Sequence, residues 1–206
     1  LKLHVDLLTF FGEIHVSRVI ATGSCWEYGR TSGELKEDMA LEPNNAFTSA
    51  KSSVLSMGQV IGKQFDFSFI WARLFYVYGP GQSAHSLLPS LINMGLADEM
   101  PKARSPWARN DFIYVKDVAH VLKSMNDESF ESGVYNVGSG YATLVNNIER
   151  VIAAKLGYKS DSNDLPVDGS DEGAPNFWAN TEKLQSKIDF KPISICLLYT
   201  SDAADE

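Results

Sequence analysis

ATGSCWEYG (Ala21–Gly29) and NNAFTSAK (Asn44–Lys51) are the two stretches whose reading decides the fold. The first closes SRVIATGS (Ser17–Ser24), a β-branched run ending in small residues, which predicts a short buried strand with its carboxyl end at Ser24. The second opens a helical pattern from Phe47 to Gln64, with Val54, Leu55, Val60 and Ile61 expected as its inner stripe. Gly58 and Gly62 weaken that helix intrinsically and permit close packing. A strand ending in a hydroxyl is therefore followed by a helix whose first turn carries Phe47 and, one turn on, Lys51. Residues four apart lie side by side on a helix.

Working outward, residues 1–11 have apolar positions at helical intervals, with a stop near Gly12, and residues 29–45 read as loop. FDFSFIWARLF (Phe65–Phe75) predicts a second strand, YGPGQ (Tyr78–Gln82) a hard turn, and residues 87–96 a helix. Residues 98–109, with Pro101 and Pro106, read as loop, 111–115 as a short strand and 116–126 as a helix. GVYNVGSG (Gly133–Gly140) reads as a strand and tight turn. Thr143 is a candidate cap for a helix ending at Gly157, and Asn180 or Thr181 for a short helix over 180–188, with loop over 160–175 between them. Strand, loop, long helix, strand, turn, helix is α/β organisation. No G-x-x-G-x-x-G loop follows a first strand.

Composition narrows the function. At 44% apolar and 21% charged the chain is ordinary globular material, and a formal charge of −8 without a basic stretch argues against a nucleic-acid surface. The most apolar run, Phe67–Gly79, is short and contains Arg73, so no membrane span is expected. Only Cys25 lies outside the C-terminal tail that holds Cys196, and one thiol forms no internal disulfide framework; no Cys/His spacing suggests zinc, and a reducing, cytoplasmic setting fits best. CLLYTSDAADE (Cys196–Glu206) back-translates to a run that resembles a transposon-type sequencing adapter, and residues 196–206 are expected to be a cloning or assembly scar.

Several segments together, in order, resemble the extended short-chain dehydrogenase/reductases, the NAD-dependent epimerase/dehydratase family that acts on sugar nucleotides. They are ATGSCWEYG, NAFTSAK, ARLFYVYGPGQ (Ala72–Gln82), NDFIYVKDVA (Asn110–Ala119), GVYNVGSG and FWANTEKLQSKIDFKP (Phe177–Pro192). The resemblance implies a partial Rossmann-type parallel sheet with a small C-terminal substrate-binding region. Residues 1–80 would form the second half of the dinucleotide-binding domain. Residues 81–195 would be mostly substrate-binding, with 110–137 partly returning to the core. The first strands and the phosphate-cradling loop are expected upstream of Leu1.

The same resemblance implies the site. Ser24 stands at the family's catalytic serine and Lys51 at the lysine of its Tyr-x-x-x-Lys motif, but the tyrosine position is Phe47. A tyrosine phenol, near pKa 10 by itself, is lowered by an adjacent ammonium to act as base; a phenyl ring has no proton to exchange, and losing a positioned acid/base costs about 10²–10⁴ in rate. Tyr28, or a water held by Ser24 and Thr48, is a candidate substitute. Ala21, Thr22, Lys51, Leu74 and Phe75 are expected at NAD or NADP, and Ser24, Cys25, Trp26, Tyr76, Gln82, Arg109 and Asn110 at a nucleotide-linked sugar. Tyr76 stands where the family commonly has Asn. Asn110 stands at the phosphate-binding Arg, and Arg109, one residue early, replaces it only if the strand is irregular there.

The implied activity is that of a nucleotide-sugar epimerase, dehydratase or reductase, with 4-keto-6-deoxysugar reduction preferred. The alternatives are an NAD(P)-binding sensor or scaffold without turnover, or a general interaction domain. The present chain is expected to bind no dinucleotide tightly, and a homodimer sharing a helical face is what the family implies for the full-length protein.

Overall fold

The computed structural model describes residues 1–158, 176–193 and 195. In chain order the elements are α1 (Lys2–Glu13), β1 (Arg18–Ser24), a 3-10 turn (Cys25–Tyr28), β2 (Gly33–Leu35), α2 (Ala46–Phe65), β3 (Ser68–Leu74) and β4 (Tyr76–Tyr78). They continue with α3 (Leu87–Leu96), β5 (Arg109–Asn110), β6 (Phe112–Tyr114), α4 (Val115–Ser124), β7 (Gly133–Val137), β8 (Thr143–Leu144), α5 (Val145–Lys155), β9 (Phe177–Ala179) and α6 (Glu182–Gln185).

β1, β3 and β7 form a parallel sheet in that order, with Ser24 opposite Leu74 and Val137 opposite Leu74 on the other side. β3 is central and its inner five residues are buried, as a parallel strand covered on both faces requires. Its alternation divides the core. Phe69 and Trp71 pack with Leu8 of α1 and Val54, Leu55 and Ile61 of α2, whereas Ile70 and Ala72 pack with Val118 and Val121 of α4 and with Met125, which caps it. Gly58 lets α2 approach closely, because a Cβ there would collide with the Phe69 ring.

Several sequence expectations are corrected. Val60 is 58% exposed; the inner stripe of α2 is Val54, Leu55, Gly58, Ile61 and Gly62, a 3–4 spacing that position 60 does not share. α2 runs through Phe65 and ends at Asp66 in the left-handed conformation, so the strand starts at Ser68 rather than Phe65. The expected loop 29–45 contains β2, which exists because β9 pairs with it in parallel. Thr143 caps nothing: it lies in β8 opposite Asn110, and the cap position of α5 is Leu144. The final helix shrinks to Glu182–Gln185, where Asn180 Oδ1 accepts the Glu182 N–H at 3.2 Å. The expected loop 160–175 lies outside the described residues.

β2, β9, β5 and β8 form a mixed four-stranded sheet, and β4 pairs with β6. A second core joins α3 and α5 through Leu88, Leu91, Ile148 and Ile152. The site lies between this part and the carboxyl end of the parallel sheet. No described helix is long and apolar enough to cross a membrane.

Candidate active site

Ser24 ends β1 and starts the 3-10 turn. Its Oγ accepts the Trp26 N–H at 3.3 Å, and Glu27 Oε1 accepts the Ser24 N–H at 2.7 Å, a reciprocal capping box. The Ser24 O–H donates to no described residue and opens on a cavity. Glu27 is fully buried and forms an ion pair with buried Arg73, Oε2 to Nε 3.0 Å, while also accepting the Trp71 Nε1–H at 3.1 Å. Arg73 stacks over the Tyr28 ring at 4.4 Å. Tyr28 in turn donates to Asn136 Oδ1 at 2.8 Å, and Asn136 Nδ2 donates to Leu35 O at 2.8 Å. The strand end bearing Ser24 is thus tied through a buried polar chain to β3, β7 and β2.

The cavity has a volume of about 990 Å³. Ser24, Cys25, Trp26, Tyr76, Gln82 and Asn110 line it, as does Phe75, expected at the cofactor. An aromatic wall forms where Tyr76 meets Trp26 edge-on at 5.9 Å, Phe112 at 5.6 Å and Phe177 stacked at 6.0 Å. Elsewhere the lining is polar and cationic, with Ser86, Ser90, Lys102, Arg104 and Ser105. The segment carrying Lys102 and Arg104 is held to α5: Ala103 N–H donates to Glu149 Oε2 at 2.8 Å and Asn146 N–H to Pro106 O at 2.8 Å. Cys25 is buried, and loss of solvation, reinforced by the Asp111 charge, pushes its thiol well above the usual range. Asp111, fully buried between the lining residues Asn110 and Phe112, accepts from Ser139 N (2.6 Å), Ser139 Oγ (2.7 Å), Gly140 N (2.9 Å) and Ala179 N (3.0 Å). Burial raises its pKa against the pull of those donors.

Not every expected residue gathers here. Lys51 reaches β1, its Nζ donating to Thr22 O at 2.7 Å, with the Phe47 ring centroid 6.0 Å away. Phe47 is 56% exposed, and neither it nor Lys51 lines the cavity that Ser24 lines. Ala21, Thr22 and Leu74 also lie outside that lining, on the parallel strands. Two expectations fail on geometry. Tyr28 is not a substitute base, because its buried hydroxyl is held by Asn136 away from the cavity lining. Nor can Thr48 hold a water with Ser24, since it is fully buried and its hydroxyl completes the α2 cap, donating to Asn45 O at 3.1 Å and accepting Asn45 N–H at 3.3 Å. Arg109 is corrected as well. β5 is a regular paired strand, so Arg109 takes the exposed face and Asn110 the buried one that meets the cavity.

Sequence reading missed Glu27, Lys102 and Arg104. Glu27 had a signal, since Ser24-x-x-Glu27 is the capping-box pattern. Lys102 and Arg104 had none: a Pro-bounded loop does not announce what it folds over. Among the described residues, no three His, Cys, Asp or Glu side chains gather as a metal site.

A parallel α/β sheet with a cavity at its carboxyl end and a hydroxyl at the switch from strand to turn defines a ligand-binding α/β protein of the doubly wound class. The sequence model of the NAD dependent epimerase/dehydratase family matches residues 1–138, and the chain belongs to that family. It is 22% identical over 147 residues to the dTDP-4-dehydro-6-deoxyglucose reductase of Escherichia coli, covering 69% of this chain and 46% of that protein. It is 21% identical over 175 residues to a trifunctional UDP-glucose 4,6-dehydratase/UDP-4-keto-6-deoxy-D-glucose 3,5-epimerase/UDP-4-keto-L-rhamnose-reductase of Arabidopsis thaliana, covering 82% of this chain and 26% of that protein. The chain thus spans less than half the length of either relative. Among solved structures, UDP-glucuronic acid 4-epimerase from Bacillus cereus, in complex with UDP-glucuronic acid and NAD, superposes with a TM-score of 0.83 at 22% identity, covering 98% of this chain and 65% of that one. UDP-N-acetylglucosamine 4-epimerase from Methanobrevibacter ruminantium M1 gives 0.80 at 25% identity, covering 96% and 64%. The expected Rossmann-type α/β fold is the one observed.

Proposed function

We propose that the chain is the substrate-side part of an NAD(P)-dependent enzyme that oxidises, reduces or epimerises a nucleotide-linked sugar, with reduction of a 4-keto-6-deoxysugar as its preferred reaction. The carrying observation is the two-sided cavity beside Ser24, with aromatic rings along one part of its wall and Lys102 and Arg104 on another. A sugar ring packs its C–H face on Trp26, and the diphosphate meets the two cations. Arg104 provides the planar, forked donor set suited to phosphate, the task that Asn110 lacks the charge to perform. Ser24 donates its free O–H to the sugar oxygen where negative charge develops.

When bound, the nicotinamide supplies or removes hydride at the sugar carbon. Lys51, held at the end of β1 by Thr22 O, fits the ribose of that cofactor, and the chain holds no Gly-rich turn to cradle its pyrophosphate. The present chain is therefore expected to bind a nucleoside diphosphate but no dinucleotide at low micromolar concentration. Calorimetric titration with UDP and dTDP tests this reading. Binding that is lost in Arg104→Ala and weakened in Lys102→Ala is expected; no binding, or binding indifferent to both substitutions, would overturn it. Titration of the complete reading frame's product with NAD(P) and a 4-keto-6-deoxysugar nucleotide separates an enzyme from a sensor, because the sensor binds dinucleotide without turnover.

A further inference from the structure

The ring at position 47 carries no proton, Tyr28 is held by Asn136, Thr48 is locked in its cap and the Lys51 ammonium is bonded to Thr22 O. One other phenol borders Ser24's cavity. Tyr76 opens β4, one residue beyond the end of β3, and β3 pairs with β1 so that Leu74 lies opposite Ser24. Its ring is gripped by Trp26, Phe112 and Phe177, and the residue, partly buried, lines the cavity. Its hydroxyl bonds to no described residue and is not a sealed, unsatisfied atom. A phenol held rigidly by its ring, in a residue on the wall of the cavity that Ser24 also lines, is arranged to meet the ligand.

We propose that Tyr76 is a catalytic residue, the proton donor that replaces the missing phenol at position 47, and that the site is consequently built for ketone reduction. This rests on the proposed function. In the step, a bound reduced nicotinamide would supply hydride to the carbonyl carbon as the C=O π pair moved to oxygen, and Tyr76 O–H would give its proton to that oxygen. The resulting phenolate is reprotonated by water from the open cavity. The Ser24 O–H holds the same oxygen as charge builds on it. Burial, and next the neighbouring Cys25 thiol, push the Tyr76 phenol above its ordinary value, so it stays protonated at neutral pH, the form needed to donate. Of the other titratable groups on the lining, Cys25 is a buried thiol held neutral, His85 stands on the exposed approach to α3, and Lys102 and Arg104 are the cations assigned to the diphosphate.

The test uses the product of the complete reading frame, Tyr76→Phe and His85→Gln variants of it, a 4-keto-6-deoxysugar nucleotide with reduced nicotinamide, and calorimetry with UDP or dTDP alone. Tyr76→Phe is expected to lower kcat by about 10²–10⁴ while nucleoside diphosphate binding changes by less than about threefold, a shift under ~1 kcal/mol. Adding Phe47→Tyr to Tyr76→Phe is expected to leave that binding unaltered as well. Turnover unaffected by Tyr76→Phe, or lost instead in His85→Gln, overturns this inference and leaves the proposed function standing. So does a Tyr76→Phe variant that loses diphosphate binding in proportion to its rate, since Tyr76 would then only shape the cavity. Intact diphosphate binding with no turnover in the unsubstituted protein overturns both.

Discussion

Replacing Glu27 by Gln would strip the counter-charge from Arg73, which is 1% exposed and stacked on Tyr28. Gln keeps an oxygen for the Ser24 and Trp71 N–H groups, so the perturbation is mainly one of charge. Breaking a buried ion pair from one side costs about 3–5 kcal/mol, because the remaining ion is neither hydrated nor neutralised. Against a total stability of about 5–15 kcal/mol, that brings the domain to the edge of unfolding. The companion variant Glu27→Gln/Arg73→Met removes both charges, and a neutral pair of similar volume is often no less stable than the ion pair. The double variant is therefore expected to regain at least about 2 kcal/mol over Glu27→Gln. Urea denaturation followed by tryptophan fluorescence, with Trp71 in direct contact with the pair, reads the difference. A double variant as unstable as the sum of Glu27→Gln and Arg73→Met would refute the charge argument.

Other outcomes follow from the same geometry. Gly23→Ala would drive a Cβ into the Trp71 indole and against Glu27 Oε1; a loss of about 1–3 kcal/mol is expected in the same urea assay. Asp111→Ala removes the acceptor of three backbone N–H groups and the Ser139 hydroxyl. At about 1–3 kcal/mol for each orphaned buried donor, a loss on the order of 3 kcal/mol or more is expected, and a smaller one would mean that water replaces the carboxylate. Cys25 should resist a thiol reagent at pH 8 in a Cys196→Ser background, because a raised pKa depletes thiolate and burial blocks access. Rapid colour development before unfolding would contradict that.

Much of the architecture was legible because it rests on local pattern. The β-branched run ending at Ser24, the apolar run of β3 and the 3–4 spacing of α2 each define an element without help from elsewhere. The S-x-x-E signature was equally legible, although its use as a buried anchor for Arg73 was not. β2 was invisible, since three residues, Gly33–Leu35, become a strand only when Phe177–Ala179 lies beside them. Arg109 and Asn110 show the limit from the other side. Alternation tells that they face opposite ways, and only their pairing with β8 and β9 tells which one meets the cavity.

The sequence by itself determined the family, the α/β order of elements and the absence of a phenol at position 47, because these depend on residue identity and short-range periodicity. Tertiary structure alone decided which side chains share the cavity. It brought Tyr76 and Arg104 to Ser24's side and left Phe47 and Arg109 out of the lining. It also turned the Tyr28 hydroxyl inward to Asn136. The physical reason is that a side chain's availability depends on what packs against it. A hydroxyl or guanidinium is chemistry in the open and scaffold when buried and bonded, and that difference is set by residues far away in the chain.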